Sequence, residues 1–343
     1  LGIAFVEIAS VTDKRFLSIA TKAQAIQLKI DDLRNTWYKT SYLMDKMQRP
    51  AAHAEQRKNN YARQELTYQL QPRFDGQFST YGIDPKRRKP SGTKAAIIRE
   101  KGVNGDREMA YSLYLAGFDV KDVHMTDLVS GREDLSDVNM IAFVGGFSNS
   151  DVLGSAKGWA GAFLYNPKAK AALDNFYARK DTLSLGVCNG CQLMMELGLV
   201  YPEWKDHPKM HHNGSGKYES NFINITIPKT NSVMLHTFEG ARLGVWVAHG
   251  EGRFKLPSDK SKFQVAGFYS HQEYPGNPND SDFAVAALTS NDGRHLAIMP
   301  HLERSLFPWN WAYYAKGRKS DQVSPWIEAF TNALDWVKER NKR

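Results

Sequence analysis

Both cysteines of this 343-residue chain lie in one run, "LSLGVCNGCQLM" (183–194). Two thiols separated by two residues can form half a zinc site, a redox pair, or one nucleophile with a bystander. Zinc has the spacing: Cys188 and Cys191 are followed by His207 and His211, with gaps of 15 and 3 residues, as a Cys2His2 site requires. Its context is wrong, because Cys188 ends an apolar strand run and Pro208 would break a helix carrying both histidines. No metal is expected. The redox reading fits the spacing but leaves Gly186 and Gly190, placed evenly about Cys188, unexplained. Gly186-Val187-Cys188-Asn189-Gly190 has instead the form of a nucleophile elbow. Its strand-to-helix turn is so tight that side chains two positions either side would clash, and glycine removes them. At a helix N-terminus the dipole favours thiolate, and the Asn189 N–H can face an oxyanion. Taken alone, the run fits equally well a buried cysteine that packs as a small hydrophobe.

A second cluster breaks that tie. "AIMPHLER" (297–304) places His301 and Glu303 two apart at the end of an apolar strand. In extended chain, positions i and i+2 project to one side. Glu303 could hold one ring nitrogen of His301 and leave the other facing a thiol, the orienter–base–nucleophile order of covalent catalysis. Most H-x-E pairs are solvated and inert; this one follows a core strand and is accompanied by an elbow and a strand-end Gly145-Gly146.

The elements that must position these groups are legible in part. Over 1–50, "IAFVEIASV", "RFLSIA" and "IQLKI" read as short strands. Asp31 or Asp32 then caps a helix carrying Leu33, Trp37, Met44 and Met47 at helical spacing, and Pro50 ends it. Residues 51–92 are polar, lack a sustained period and include the basic run "KRRKPSGTK" (86–94); they read as a linker arm, with a domain boundary near 92. Over 93–343 the rhythm changes. "AAIIRE", a helix with Met109, Leu113 and Ala116 on one face and Gly117 as stop signal, "FDVKDVHM", "NMIAFVGG", a helix near 165–179 and "TLSLGV" give the pattern of an open parallel α/β sheet. Such sheets keep their sites at the carboxyl ends of strands, where Gly145-Gly146 and Cys188 fall. Past 215 the chain is strand-rich ("NFINITI", "LGVWVAHG", "FQVAGFYS", "DFAVAALTS", "RHLAIMPH"). It closes on a helix begun by Ser324-Pro325, with Ile327, Phe330, Leu334 and Val337 inward.

The totals exclude several function classes. With 42% hydrophobic residues the chain can fill a core, yet no apolar run of about 18 residues exists, so no membrane partner is expected. The net charge of +8 is partly local to the linker run, so no nucleic-acid partner is expected either. Two cysteines cannot build a disulfide framework, and a reducing cytoplasmic location fits them. Asn213, Asn224 and Asn279 open chance glycosylation sequons. The opening on Leu1, in mid-pattern and without Met, reads as a piece of a longer protein.

The blocks "REKGVNGDREMA", "GGFSNSDVLG", "LGVCNGCQLM", "AHGEGRF" and "MPHLER", in this order over 93–343, resemble the class I (triad-type) glutamine amidotransferases. Their likeness is greatest to the glutaminase portion of a large purine-pathway synthetase, whose synthetase tail 1–60, with "LRNTWYKTSYLMDKMQRP", also resembles. The resemblance implies a flavodoxin-like α/β fold, an open mostly parallel sheet flanked by helices, with added C-terminal strands and a small N-terminal α+β appendage. It implies that Cys188 attacks the side-chain amide of L-glutamine to give a γ-glutamyl thioester and ammonia, while His301 carries protons and Glu303 orients it. Gly145, the amides around Gly146-Phe147 and that of Asn189 would form the oxyanion hole. Gln192 and His249-Gly250-Glu251 would hold the substrate's α-groups, and Cys191 would be a bystander. Ammonia would pass to a synthetase portion that uses ATP and Mg²⁺ to convert formylglycinamide ribonucleotide to its amidine. No ATP-binding portion is recognisable here, so this chain is expected to need no cofactor. Two departures stand out: Asn149-Ser150 replaces Tyr-Gly in the family's Gly-Gly-Phe-Ser-Tyr-Gly-Asp, and Leu302 replaces the second proline of Pro-His-Pro-Glu, which would loosen the His301–Glu303 geometry. The competing readings are a stand-alone cysteine hydrolase, a docking subunit without turnover, and a Cys2His2 module binding zinc or nucleic acid.

Overall fold

A computed structural model describes residues 2, 4 and 6–341. The chain divides into two compact units, Leu1–Lys58 and Asn59–Arg343. In the smaller unit, β1 (Phe16–Ala20) pairs antiparallel with β2 (Ala25–Lys29). Of the strand expected over 3–11, Ile3 and Phe5 lie outside the described residues, and 6–11 forms no strand. α1 (Ile30–Gln48) follows directly, with Lys29 at its N-cap and no side-chain cap; Asp31 is drawn instead into an ion pair with Arg15. Leu33, Trp37, Met44 and Met47 keep their helical spacing but remain exposed.

Residues 51–92 are not the unstructured arm expected from their polarity. α2 (Ala51–Asn60) is helical, and from Asn59 the segment packs on the larger unit. Phe74 and Ile83 are buried, Gln69 bridges to Arg242, and Arg73 pairs with Glu328 at 2.6 Å. Within the basic run, Arg87 binds Asp119 at 2.8 Å and the Phe118 carbonyl at 2.7 Å. These anchors are few and irregularly spaced, so no period betrays them.

The larger unit is built on one nine-stranded sheet. Its parallel half consists of β3 (Lys94–Arg99), β4 (Asp119–His124), β5 (Met140–Phe143), β6 (Leu183–Val187) and, from far along the chain, the strand His295–Ile298. Between them run α3 (Asp106–Ala116), α4 (Met125–Ser130), α5 (Lys157–Tyr165), α6 (Pro167–Ala178) and α7 (Asn189–Glu196). The chain continues with β7 (Lys209–His211), β8 (Glu219–Thr226), β9 (Arg242–His249), β10 (Arg253–Lys255), β11 (Gln264–Tyr269), β12 (Val285–Thr289), β13 (that same His295–Ile298) and α8 (Ile327–Asn341). The order across the sheet is β4-β3-β5-β6-β13-β12-β11-β8-β9, antiparallel from β13 outward; β7 and β10 pair separately. Helices flank the sheet in two groups, α3 against α8, and α4 through α6 and α5 to α7. α8 buries Ile327, Phe330, Leu334 and Val337, each worth about 1.5–3 kcal/mol when fully removed from water.

This topology explains the site's location. β5, β6 and β13 are adjacent and parallel, so the residues that follow them (Gly145-Gly146, Cys188 and His301) emerge at one edge. Among the described residues, no helix is long and apolar enough to cross a membrane. Asn213, Asn224 and Asn279 are all buried and bonded to backbone carbonyls, which leaves no room for a glycan.

Candidate active site

Cys188 follows the fully buried β6 and precedes α7, with φ 51° and ψ −105°, a strained conformation for a side-chain-bearing residue. Its glycines are required as their spacing suggests. A Cβ on Gly190 would lie 2.0 Å from the Phe143 carbonyl oxygen; one on Gly186 would lie 2.5 Å from both the Gly190 carbonyl oxygen and Met194 Sδ. The Cys188 amide donates to the Ile298 carbonyl at 3.0 Å, tying the elbow to β13. Its thiol donates to the Ala248 carbonyl at 3.5 Å. Cys191 is wholly buried, and burial pushes its thiol well above the ordinary range, Cys188 adding to the effect.

His301 is held at its backbone by the Trp246 carbonyl (2.8 Å) and at Nδ1 by Glu303 Oε1 (2.6 Å), with both side chains buried. The two meet by a turn. Leu302 is helical (φ −66°, ψ −33°), and Glu303 opens a short 3-10 segment; the extended geometry expected from the i, i+2 spacing is corrected. That φ lies in the range proline imposes, and the pair closes at 2.6 Å with Leu302 in place. Among the described residues, Nε2 of His301 has no nitrogen or oxygen partner, and the Cys188 sulfur is the hydrogen-bonding group that favours its charged form on that side. A Cβ on Gly145 would meet His301 Cε1 at 2.7 Å and Cys188 Cβ at 3.5 Å, so ring and thiol close on one small space. Burial works against a charged His301, but the Glu303 carboxylate and the Cys188 sulfur outweigh it and push the imidazole up to about 9. A thiol beside an imidazole so oriented can form a thiolate–imidazolium pair.

The loop after β5 crosses Val103: a Cβ on Gly146 (φ 126°) would lie 2.5 Å from Val103 Cα and Asn104 N. The Phe147 amide donates to the Gly102 carbonyl at 2.9 Å. Of the amides around Gly146-Phe147 expected to form the oxyanion hole, that of Phe147 is therefore engaged by another carbonyl in this structure. Asn189 and Gln192 are buried, and both ends of each side-chain amide are engaged. Asn189 Oδ1 accepts from the Ser148 amide (3.0 Å), Asn189 Nδ2 donates to Gln192 Oε1 (2.9 Å), and Gln192 Nε2 donates to the Glu251 carbonyl (2.8 Å). Gln192 thus ties Asn189, at the start of α7, to the loop that carries Glu251.

His249 is buried, and burial and then the charge of His301 push it down to about 3, so it is neutral. Asn213 Oδ1 sits 3.2 Å from its Nδ1 and also accepts from the Gly252 amide. Gly250 has open space where a Cβ would stand, whereas one on Gly252 would meet the His249 ring at 2.5 Å. The Glu251 carboxylate receives the Ser155 amide at 3.3 Å. Sequence reasoning missed Ser148, Asp151, Ser155, Asn213 and Tyr218. Tyr218 stacks obliquely on Phe147, with centroids 6.0 Å apart, and burial together with Cys188 raises its hydroxyl. The one available signal was their place beside recognised blocks. The zinc grouping does not form. His211 lies on β7, His207 turns to the Pro208 carbonyl, and no cluster of three potential ligands occurs among the described residues.

Comparison with known proteins shows which family the chain belongs to. The chain is 40% identical over 349 residues to phosphoribosylformylglycinamidine synthase of Homo sapiens, covering 92% of this chain and 25% of that protein. It is 38% identical over 340 residues to the Dictyostelium discoideum protein of the same name, covering 92% and 25%. The chain thus spans about a quarter of the length of the curated relatives it matches. The solved structure of PurLQS from Thermotoga maritima shares the fold, with a TM-score of 0.55 and 23% identity over 72% of this chain and 99% of that one. Residues 92–337 match the family described as the CobB/CobQ-like glutamine amidotransferase domain, and it is to this family that the chain belongs.

Proposed function

We propose that this chain hydrolyses the side-chain amide of L-glutamine and supplies the ammonia to a synthetase portion of a phosphoribosylformylglycinamidine synthase. The observation that carries the reading is the buried 2.6 Å contact of His301 Nδ1 with Glu303 beside an elbow thiol. Cys188 sulfur attacks the amide carbon, and charge develops on its oxygen. The amides of Gly146 and of Asn189, which as first residue of α7 has no intrahelical acceptor, stabilise that charge. His301, protonated opposite the thiolate, gives its proton to the leaving nitrogen, so ammonia departs and a γ-glutamyl thioester remains. Water, deprotonated by His301, then cleaves the thioester to glutamate and restores the thiol. Glu303 keeps the ring oriented throughout, and the Glu251 carboxylate takes the substrate's α-ammonium group.

The chemistry asks no cofactor of these residues. ATP and Mg²⁺ belong to the synthetase portion, where ammonia would convert formylglycinamide ribonucleotide to its amidine. A reducing cytoplasmic setting suits a mechanism that needs a free thiol, and both cysteines are free. The test is glutamate release from glutamine by the complete synthase during turnover, native against Cys188→Ala. The variant should lose about a thousandfold or more; retained glutamate release would refute the reading.

A further inference from the structure

The polar chain beneath the elbow is directional. It begins at a backbone N–H, that of Ser148, and ends at a backbone carbonyl, that of Glu251, with Asn189 and Gln192 between at 3.0, 2.9 and 2.8 Å. Neither amide can flip, because a flip sets donor against donor or acceptor against acceptor. The path then closes on itself. The Glu251 carboxylate receives the Ser155 amide, and the Ser155 hydroxyl donates to Asp151 Oδ2 at 3.3 Å. Ser148 and Asp151 bound one 3-10 turn. In that turn Asn149, Ser150 and Asp151 all have left-handed φ (53°, 56° and 51°), a conformation that is strained for side-chain-bearing residues. Such strain persists only when the surroundings over-determine it. Ser148, Asn189 and Gln192 are all buried, so a broken link leaves an unpaired amide out of water.

The geometry points to Asn189 and Gln192 as positioning residues: their side-chain amides hold the strained 146–151 backbone against the elbow, so that the loop carrying Gly146 is fixed by the loop carrying Glu251. The catalytic consequence rests on the proposed use of the Gly146 amide. In this role Gln192 acts through its neighbours, Asn189 and the Glu251 backbone.

Gln192→Leu keeps the bulk and removes both links; Gln192→Glu keeps the acceptor for Asn189 and loses only the donation to Glu251. Three readouts separate the possibilities in the full-length protein. Hydrogen exchange of 145–151 should accelerate about tenfold or more in Gln192→Leu, and less in Gln192→Glu, while 183–187 stays protected. Alkylation of Cys188 by iodoacetamide, which develops no oxyanion, should stay within about twofold of native. Glutaminase kcat should fall about tenfold or more, with KM moving less than about threefold. Unchanged exchange at 145–151 would overturn the proposal, as would acceleration across the whole unit together with lost alkylation, the mark of a merely structural role. If native protein fails to hydrolyse glutamine but the exchange response is selective, the positioning stands and the glutaminase reading falls.

Discussion

Among the described residues, His301 is the one buried histidine that the surroundings charge rather than neutralise. Glu303 and Cys188 lift it from 6.5 to about 9, whereas His249 and His295 are pushed down to about 3, chiefly by burial. A pKa raised on folding stabilises the native state fully below about pH 6.5, and that contribution is lost as pH rises through about 9. Glu303→Gln removes the main anion, so the variant's urea midpoint should fall less between pH 7 and 9.5 than the native one, and its glutaminase rate should drop about a hundredfold or more. Equal slopes would show that Glu303 does not charge the ring. At this scale the sequence was readable where chemistry is written as spacing: glycines two either side of Cys188, and His-x-Glu after an apolar run. It was unreadable where a bond partner is remote. The Gly102 carbonyl that occupies the Phe147 amide and the orientation of the Asn189 and Gln192 amides depend on how loops cross, and no local pattern encodes that.

The elements place these residues by being neighbours, not by being consecutive. β5 and β6 follow the parallel rhythm of the sequence, but β13 comes more than a hundred residues after β6 and inserts beside it. A short apolar run announces β13 as a strand and says nothing about its partner. The turn at Leu302 was misread for the same reason, since an extended and a turned chain can both bring i and i+2 together. Packing at the elbow gives a sharp test. Gly190→Ala would put a Cβ 2.0 Å from the Phe143 carbonyl oxygen, so α7 must shift off β5, with an expected loss of about 3 kcal/mol or more. Gly250→Ala, in open space, should stay within about 0.5 kcal/mol of native. Urea unfolding of both variants checks the pair, and similar losses would contradict the crowding argument.

Over the whole molecule, residues 59–92 complete the larger unit. Glu328 on α8 is buried and receives Arg73 at 2.6 Å and the Tyr81 hydroxyl at 2.8 Å. A chain begun at Thr93 loses both of these donors, keeps only the Thr237 hydroxyl on Glu328 at 3.2 Å, and exposes the surface under Phe74 and Ile83. Stranding a buried carboxylate costs about 3–5 kcal/mol, so such a chain should unfold at clearly lower urea than one begun at Asn59; equal midpoints would return the segment to the status of a linker. Polar composition concealed this role, because a segment that wraps a finished core needs only a few anchors. The central claim, that the whole assembly exists to present one glutamine-directed thiol, is tested most directly by intact mass after exposure to a glutamine-mimicking diazoketone. Native chain and Cys191→Ala should each gain one adduct, and Cys188→Ala none. An unlabelled native chain, or labelling shared equally by both cysteines, would contradict it.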